Sequence, residues 1–462
     1  MKNVKKLLSL TLIFGCCLGA FLCVAGCGAS KHKNDKDSLK EQTETHSGVV
    51  SETEKSEQNM ATESPSESYQ DVLCLNPSKE ASWWISNYEE IHGDGSASQV
   101  ILDLEKIKGE NAAMESLAEY IVDVKNFDKS NDITDDQLRN WLSAEISYSP
   151  CYKESGIRFS KAEISAIYEN RNIDAAGSFV KKRGIATGRA DMRTVPCSEI
   201  VLKAPDNMPY DRIQKTEIIV GMPLWVLHES LDNEFYYVQS YYYRGWVKKS
   251  DVAVTDNEEL WNYFVRPDNF AVVADPIVKF DEKNIDMGVV LPIEGEEQKV
   301  FKVTLPERTA NGELAKKSAT IDKTKAHKGF IPYTMANYYT QAFKYIGTIY
   351  GWGGMNNGVD CSSFVCAVMR SFGFEMPRNT SQQSKIMCEP VDLKALSLKE
   401  REDLFVELDS PAALFNPGHV RLVLGEKDGK YYVIHAPSAG KPVCVAEFTP
   451  IDENLTYLSI IK

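Results

Sequence analysis

The sequence lacks a Cys-X-X-Cys pair, although it contains eleven cysteines in 462 residues. No two cysteines stand two residues apart, so the spacing is neither that of a zinc ribbon nor that of a dense disulfide framework. Four cysteines lie in the first 27 residues, and the other seven are scattered singly: Cys74, Cys151, Cys197, Cys361, Cys366, Cys388 and Cys444. Because seven is odd, at least one thiol stays free unless the chain pairs with another.

Positive charge is also scarce. Lysine and arginine number 52 against 66 aspartates and glutamates, a formal net charge of -14. Nucleic-acid binding needs a positive surface, so the balance argues against a nucleic-acid partner. The hydrophobic share of 43% and charged share of 26% are those of globular domains. A chain of this length exceeds one compact core and predicts three or four units.

The N-terminus predicts export. Three lysines in residues 1–6 precede the apolar run Leu7 to Gly26, as in a secretory signal. The run ends Val24-Ala25-Gly26-Cys27, which resembles the lipobox of bacterial lipoproteins and implies cleavage before Cys27 and lipidation of its thiol. The alternative is an uncleaved anchor helix, since about 20 apolar residues can span a bilayer. Both interpretations place the remaining chain on the extracytoplasmic face of the membrane, in the cell envelope.

Large apolar residues are nearly absent from residues 28–69, which predicts a disordered linker that tethers the folded part. Residues 70–180 carry apolar residues at three- and four-residue steps and are predicted to form a helical region. Residues 181–255 change to short strands with close turns, which indicate a small barrel. Residues 256–329 repeat that strand-rich pattern.

Chemistry concentrates around Cys361. The glycine-rich run Tyr350 to Gly354 comes first, and Asp360 immediately precedes the cysteine. Apolar residues after Cys361 fall on one helical face, so the cysteine lies at a helix N-terminus. Free backbone N–H groups and the helix dipole favour a thiolate there, which predicts a lowered thiol pKa. Cys366 lies about 140° round the same helix and is expected to face the core and be inert.

A thiolate nucleophile needs a base. His419 starts one predicted strand, and His435 ends the next. A two-residue Asp-Gly turn would pair Lys427 with Lys430 and put the histidines on opposite sheet faces. A three-residue loop from Lys427 to Gly429 instead pairs Glu426 with Lys430. That register sets His419 diagonally beside His435 on one face, about 7 Å away.

We therefore expect a relay of Cys361, His419 and His435, in which the third group orients the base. A catalytic zinc held by the same three side chains is an alternative, since three such ligands suffice.

These residues resemble the NlpC/P60 domain of cell-wall peptidases, a papain-like fold, over residues 330–462. The resemblance rests on Tyr350 to Gly354, Asp360 to Phe364, Pro377 to Gln383, Gly418-His419 and His435. Gly188 to Arg193 and Tyr243 to Val247 are similar to a bacterial SH3 domain. The predicted fold is therefore an α+β multidomain chain, with a signal and lipidation site (1–27), a linker (28–69), a helical stabilising region (70–180), two SH3-like barrels (181–255 and 256–329) and a catalytic domain (330–462).

The resemblance implies a triad of Cys361 as nucleophile, His419 as base and His435 as the orienting group, with no metal or organic cofactor. It implies hydrolysis of γ-D-glutamyl bonds to a diamino acid in peptidoglycan stem peptides or muropeptides, with a free N-terminal L-alanine. Asp360, Ser362, Thr380, Tyr350 and Asp191 are the expected substrate-binding residues. The Asp360 carboxylate can hold the free amine through a charge-assisted bond. The alternatives are a wall-binding SH3 lipoprotein, and an amidase or acyltransferase on another acyl substrate.

Overall fold

The computed structural model describes residues 80–117, 121–127, 133–179, 181–206 and 210–462. These residues belong to one compact unit. The predicted signal segment with Cys27 and the predicted linker lie outside the described residues. Across the described ranges, no helix is both long and apolar enough to cross a membrane.

The described part contains α-helices, short 3-10 turns and antiparallel strands. The α-helices are α1 (Ala81–His92), α2 (Leu104–Leu117), α3 (Asp135–Leu142), α4 (Lys161–Glu169), α5 (Glu258–Val265), α6 (Met335–Phe343), α7 (Cys361–Arg370), α8 (Thr380–Ile386) and α9 (Leu398–Val406). The 3-10 turns are Ser96–Ser98, Val124–Asn126, Ile173–Ala175, Lys249–Asp251, Trp352–Asn357 and Leu393–Ala395.

The helical region divides between two partners. Its first part packs on the C-terminal domain: Trp84 is fully buried against the rings of Tyr339 and Tyr432, and Ile101 N–H bonds to the Tyr333 carbonyl. Its second part packs on the first barrel, where the Trp225 indole N–H donates to the carbonyl of Val124. The helices therefore stabilise two domains at once.

The first barrel is one seven-stranded antiparallel sheet in the order β3-β2-β6-β5-β4-β1-β7. Its strands are β1 (Lys182–Ala186), β2 (Ala190–Arg193), β3 (Gln214–Ile218), β4 (Pro223–Glu229), β5 (Phe235–Gln239), β6 (Arg244–Lys248) and β7 (Val252–Thr255). Alternating apolar residues of these strands point inward and share one core with the next unit.

The second strand-rich unit has a two-stranded sheet, β10-β9, and a five-stranded sheet in the order β13-β12-β11-β8-β14. The strands are β8 (Phe270–Val273), β9 (Ile277–Phe280), β10 (Lys283–Asp286), β11 (Val290–Glu296), β12 (Val300–Arg308), β13 (Leu314–Asp322) and β14 (Ala326–Lys328). Helix α5 links the two strand-rich units and buries Trp261 and Phe264.

The C-terminal domain sets α7 against a six-stranded antiparallel sheet in the order β15-β20-β16-β17-β18-β19. The strands are β15 (Glu389–Asp392), β16 (Ala412–Asn416), β17 (His419–Lys427), β18 (Lys430–His435), β19 (Cys444–Phe448) and β20 (Tyr457–Ile460). Nine of the ten α7 residues are buried, so the helix is held on nearly all sides. Helices, small β-sheets and a C-terminal α+β domain confirm the predicted fold class.

Candidate active site

Cys361 is the first residue of α7. Asp360 caps the helix: its Oδ1 accepts from the backbone N–H of Ser363 at 2.8 Å, and the Ser363 hydroxyl accepts from the Asp360 N–H at 2.9 Å. This reciprocal pair is a capping box, which fixes where the helix begins. The sulfur lies 3.6 Å from Thr380 Oγ1, at the start of α8. Two helix N-termini therefore meet at the thiol.

The strand β17 supplies the base. Its second residue, Val420, has its backbone N–H close enough to the Cys361 sulfur to lower the pKa of the thiol, and His419 is the first residue of the same strand. His419 Nε2 lies 2.8 Å from His435 Nδ1 on β18. A proton on His419 Nε2, donated to His435, leaves the Nδ1 lone pair of His419 free to accept a proton. The structure thus brings the two predicted histidines into direct contact, and the strand that carries His419 reaches the thiol.

The register that joins the histidines arises differently from our prediction. The turn is the two-residue Asp428-Gly429 turn, and Lys427 pairs with Lys430, so the predicted pairing of Glu426 with Lys430 is wrong. A β-bulge between Val423 and Gly425 then shifts the ladder by one residue, and Leu422 pairs with Ile434. Continuing this register by one step sets His435 opposite Arg421, on the same face as His419.

The resting charges of the pair also differ from expectation. Burial raises the pKa of the Cys361 thiol, and the Asp360 carboxylate raises it further, against the opposing hydrogen bonds from Thr380 and Val420. The prediction that the helix start lowers this pKa is wrong for the substrate-free site, because desolvation dominates. Burial lowers the pKa of His419 well below its usual value, and His435 adds to that effect. Thiol and imidazole are therefore both neutral at rest, and His419 is poised as a base.

The carboxylate of Asp360 forms an ion pair with Arg378. Arg378 Nη1 donates to its Oδ1 at 3.0 Å and Nη2 to its Oδ2 at 2.7 Å, in the two-pronged geometry that guanidinium favours. Ser362 Oγ joins this network by accepting from Arg378 at 2.9 Å and donating to Asp360 at 3.2 Å. Burial alone would raise the pKa of Asp360, but the Arg378 charge and hydrogen bonds hold it below its usual range.

The first barrel completes the site with residues that the sequence did not single out. On β3, Thr216 Oγ1 accepts from Arg378 Nε at 2.7 Å, and Glu217 Oε2 accepts from Arg378 Nη2 at 3.3 Å. Glu217 is buried, and a Cβ added at Gly354 would lie 2.3 Å from its Oε2. Only glycine permits this approach of the active-site loop to β3. No local pattern marks β3 as functional, because its contacts span the chain.

Other predicted residues lie at varying distances from the sulfur. Tyr350 is partly buried near the thiol, and burial, followed by the charges of Cys361 and Asp360, raises its pKa well above the usual value. Asp191 is exposed on β2 and accepts from Gln214 Nε2 at 2.8 Å. Arg421, which the register sets opposite His435, is 2% exposed.

The side-chain geometry does not favour the alternative of a zinc ion held by Cys361, His419 and His435. Within the described residues, no group of three or more histidine, cysteine, aspartate or glutamate side chains is arranged to hold a metal ion. His419 Nε2 and His435 Nδ1 are directed at each other.

Comparison with known families agrees with this geometry. Residues 347–444 match the NlpC/P60 family, and residues 201–248 match the SH3 domain of the SH3b1 type. The C-terminal domain of this chain is an NlpC/P60 domain. Members of that family are cysteine peptidases.

Individual proteins resemble longer stretches. The chain is 26% identical over 215 residues to the gamma-D-glutamyl-L-lysine dipeptidyl-peptidase of Bacillus subtilis (strain 168), a match that spans 45% of this chain and 64% of that protein. An NlpC/P60 endopeptidase from Photobacterium damselae subsp. piscicida has the same fold, with a TM-score of 0.63 at 18% identity, and the match covers 81% of this chain and 96% of the other. An NlpC/P60 family protein from Bacillus cereus ATCC 10987 matches with a TM-score of 0.46 at 18% identity, over 60% of this chain and 99% of that one.

Proposed function

We propose that the protein is a cysteine peptidase that hydrolyses γ-D-glutamyl bonds to a diamino acid in peptidoglycan stem peptides. The observation that carries the proposal is the direct contact of His419 with His435, on a strand whose Val420 N–H acts on the Cys361 thiol at the start of α7. The bond type is supported by the similarity to a gamma-D-glutamyl-L-lysine dipeptidyl-peptidase.

The reaction is an acyl transfer in two steps. The Cys361 sulfur attacks the γ-glutamyl carbonyl carbon while its proton passes to His419 Nδ1, since both groups start neutral. The C–N bond then breaks, and His419 returns the proton to the leaving amine, which leaves a thioester. Water attacks that thioester as His419 accepts its proton, and the thiol and the free acid are regenerated. His435 stabilises the imidazolium that forms in each step.

The charge count of the site supports a substrate with a free amine. Asp360 and Glu217 are both buried, and both contact the single guanidinium of Arg378. The two carboxylates thus share one guanidinium in these contacts, and a buried carboxylate that shares its cation favours the arrival of a further positive charge. The ammonium group of an N-terminal L-alanine supplies it. Because Arg378 already holds both oxygens of Asp360, Glu217 carries more of this recognition than our sequence-based assignment to Asp360 alone.

The first test compares L-Ala-γ-D-Glu-diamino acid with its N-acetylated form, with mass spectrometry of the products. We expect release of L-Ala-D-Glu from the free-amine peptide, loss of that release in Cys361→Ala, and retention in Cys366→Ala. Cys366 is the matched control because it is buried on the same helix, and its sulfur donates to the Pro377 carbonyl at 3.3 Å. Cleavage of neither peptide by a folded chain would refute the peptidase proposal.

Amine recognition has its own test. Glu217→Gln keeps the shape of the side chain and removes its charge, so we expect a raised KM for the free-amine peptide and a smaller preference over the acetylated one. Equal cleavage of both peptides by the unmodified chain would refute amine recognition and leave the hydrolysis intact.

We also propose that the mature protein is tethered to the membrane through a lipid on Cys27 and acts in the cell envelope. The lipobox-like sequence before Cys27 supports this location. A membrane tether followed by a flexible linker would let the peptidase reach substrates away from the bilayer surface.

A further inference from the structure

Arg189 joins three domains. It directly precedes β2 of the first barrel, and its side chain is 10% exposed. Its Nη2 donates to the backbone carbonyls of Gly354 and Gly358, each at 2.9 Å, and both glycines belong to the loop before Cys361. Its Nη1 forms an ion pair with Asp286, at the end of β10 in the second strand-rich unit. One guanidinium therefore connects the second unit to the active-site loop.

The loop needs outside support to keep its shape. Four of its residues, Gly353, Gly354, Asn356 and Asn357, have positive φ angles of 54°, 80°, 57° and 57°. Two of these are asparagines, which adopt this region more readily than other side chains but at a higher steric cost than glycine. Carbonyls that accept from a fixed guanidinium offset that cost.

The shape of the loop is transmitted to the catalytic helix. The Gly353 N–H donates to Asp360 Oδ2 at 3.1 Å, and Asp360 caps the helix that starts at Cys361. The loop also follows Tyr350, which lies close to the thiol. A displaced loop would therefore move Tyr350 and the capping residue Asp360 together, and both lie beside the nucleophile.

We infer that Arg189 and Asp286 are a positioning pair, through which the second strand-rich unit holds the Gly351–Gly358 loop in its reactive shape. Neither residue touches the sulfur in this assignment: Asp286 orients Arg189, and Arg189 holds the loop. The inference rests on the proposed function for its kinetic readout, but its labelling readout stands independently of the substrate.

The kinetic test uses the full chain with Arg189→Met, Arg189→Lys and Asp286→Asn. The control is Asp275→Asn. Asp275 lines the crevice that Arg189 and Asp286 also line, but it pairs with Lys344 at 3.3 Å instead of with Arg189. We expect Arg189→Met to raise KM about tenfold or more, since a displacement of about 1 Å in a catalytic site can cost ~100-fold. Asp286→Asn should change KM in the same direction, and Asp275→Asn should leave it unchanged. Arg189→Lys should stay impaired, because an ammonium group cannot hold two carbonyls and a carboxylate in one plane.

The labelling test measures alkylation of individual cysteines by iodoacetamide, read by peptide mass spectrometry. Cys361 is 7% exposed and Cys366 is 2% exposed, so both should label slowly in the unmodified chain. A loosened loop should speed labelling of Cys361 alone, whereas loss of the fold would speed labelling of both. If Arg189→Met exposes both, Arg189→Lys and Asp286→Asn decide the question.

The outcomes separate the two proposals. Failure of the unmodified chain to cleave any γ-glutamyl peptide would sink the proposed function, while selective labelling of Cys361 in the Arg189 variants would still support the positioning pair. The pair is refuted if Arg189→Lys matches the unmodified chain in KM and in labelling, because charge alone would then suffice. It is also refuted if Asp286→Asn matches Asp275→Asn in both measurements.

Discussion

Replacing Arg378 with methionine would leave two buried carboxylates without their shared cation. Arg378 is 3% exposed, and it binds Asp360 through two prongs and Glu217 through one, besides Thr216 and Ser362. Methionine fills a similar volume but donates no hydrogen bond. Breaking one partner out of a buried ion pair costs about 3–5 kcal/mol, because the remaining charge stays desolvated. We expect a loss of that size in the free energy of unfolding at pH 7.

The direction in which this loss of stability changes with pH follows from the pKa of Asp360. In the unmodified chain the pKa of Asp360 is held below its usual value, so this group contributes stability above the unfolded pKa of about 3.9 that is lost as pH falls through the folded pKa. In Arg378→Met, only hydrogen bonds such as those from the Ser363 and Gly353 N–H groups still oppose burial, so the pKa of Asp360 rises from its value in the unmodified chain. The folded variant then binds a proton more readily than the folded unmodified chain. The loss of stability caused by Arg378→Met is therefore largest at neutral pH and becomes smaller as the pH falls.

The assay is urea denaturation of both proteins between pH 4.5 and pH 7.5, with the midpoints compared at each pH. The matched control is Arg401→Met. Arg401 is 6% exposed and donates to the backbone carbonyls of Leu393 at 2.7 Å and Asp452 at 3.1 Å. Because these acceptors are uncharged, breaking these bonds leaves no carboxylate without its cation. Arg401→Met should destabilise by an amount that is nearly constant with pH. A constant deficit for Arg378→Met as well would contradict the reasoning.

Three further outcomes follow from the site and the N-terminus. His435→Ala should lower kcat by about 100-fold or more with little change in KM, because the base loses the group that orients it; an unchanged kcat in steady-state kinetics would remove His435 from the relay. Gly425→Val should reduce kcat along with stability, because the bulge residue has a φ of 122°, whereas Gly429→Val, at a φ of 78° in the turn, should reduce stability alone. Cys27→Ser should abolish incorporation of a labelled fatty acid in cells and release the protein from the membrane fraction; unaltered labelling would place the lipid elsewhere.

The nucleophile and its helix could be predicted because their determinants are local. The apolar spacing after Cys361 marks one helix face, and Asp360 is a capping residue type in the position where a helix begins. Cys366 was predicted to face the core, and it is 2% exposed. Such features depend on neighbours within one or two turns, which a single sequence displays directly.

The contribution of the first barrel could not be predicted for the opposite reason. Arg378 bonds to Thr216 and Glu217 across 162 and 161 positions of sequence. Strand β3 begins with four consecutive polar residues, which is typical of a solvated strand, yet Gln214, Thr216 and Glu217 are all buried against another domain. Hydrogen bonds from the partner domain compensate for the desolvation of this polar strand face. Its burial can therefore be recognised only when the position of the partner domain is known.

The histidine pair shows how a correct contact can rest on a wrong local cause. Our prediction removed one residue from the ladder by lengthening the turn, whereas the chain keeps the two-residue Asp428-Gly429 turn and inserts a bulge at Gly425. Both solutions shift the register by one, and a shift by one decides which face a side chain occupies. The bulge lies between the turn and the histidines, so the turn and the bulge together set the histidine register. The requirement that both histidines share one face was therefore the stronger constraint, and turn type was the weaker one.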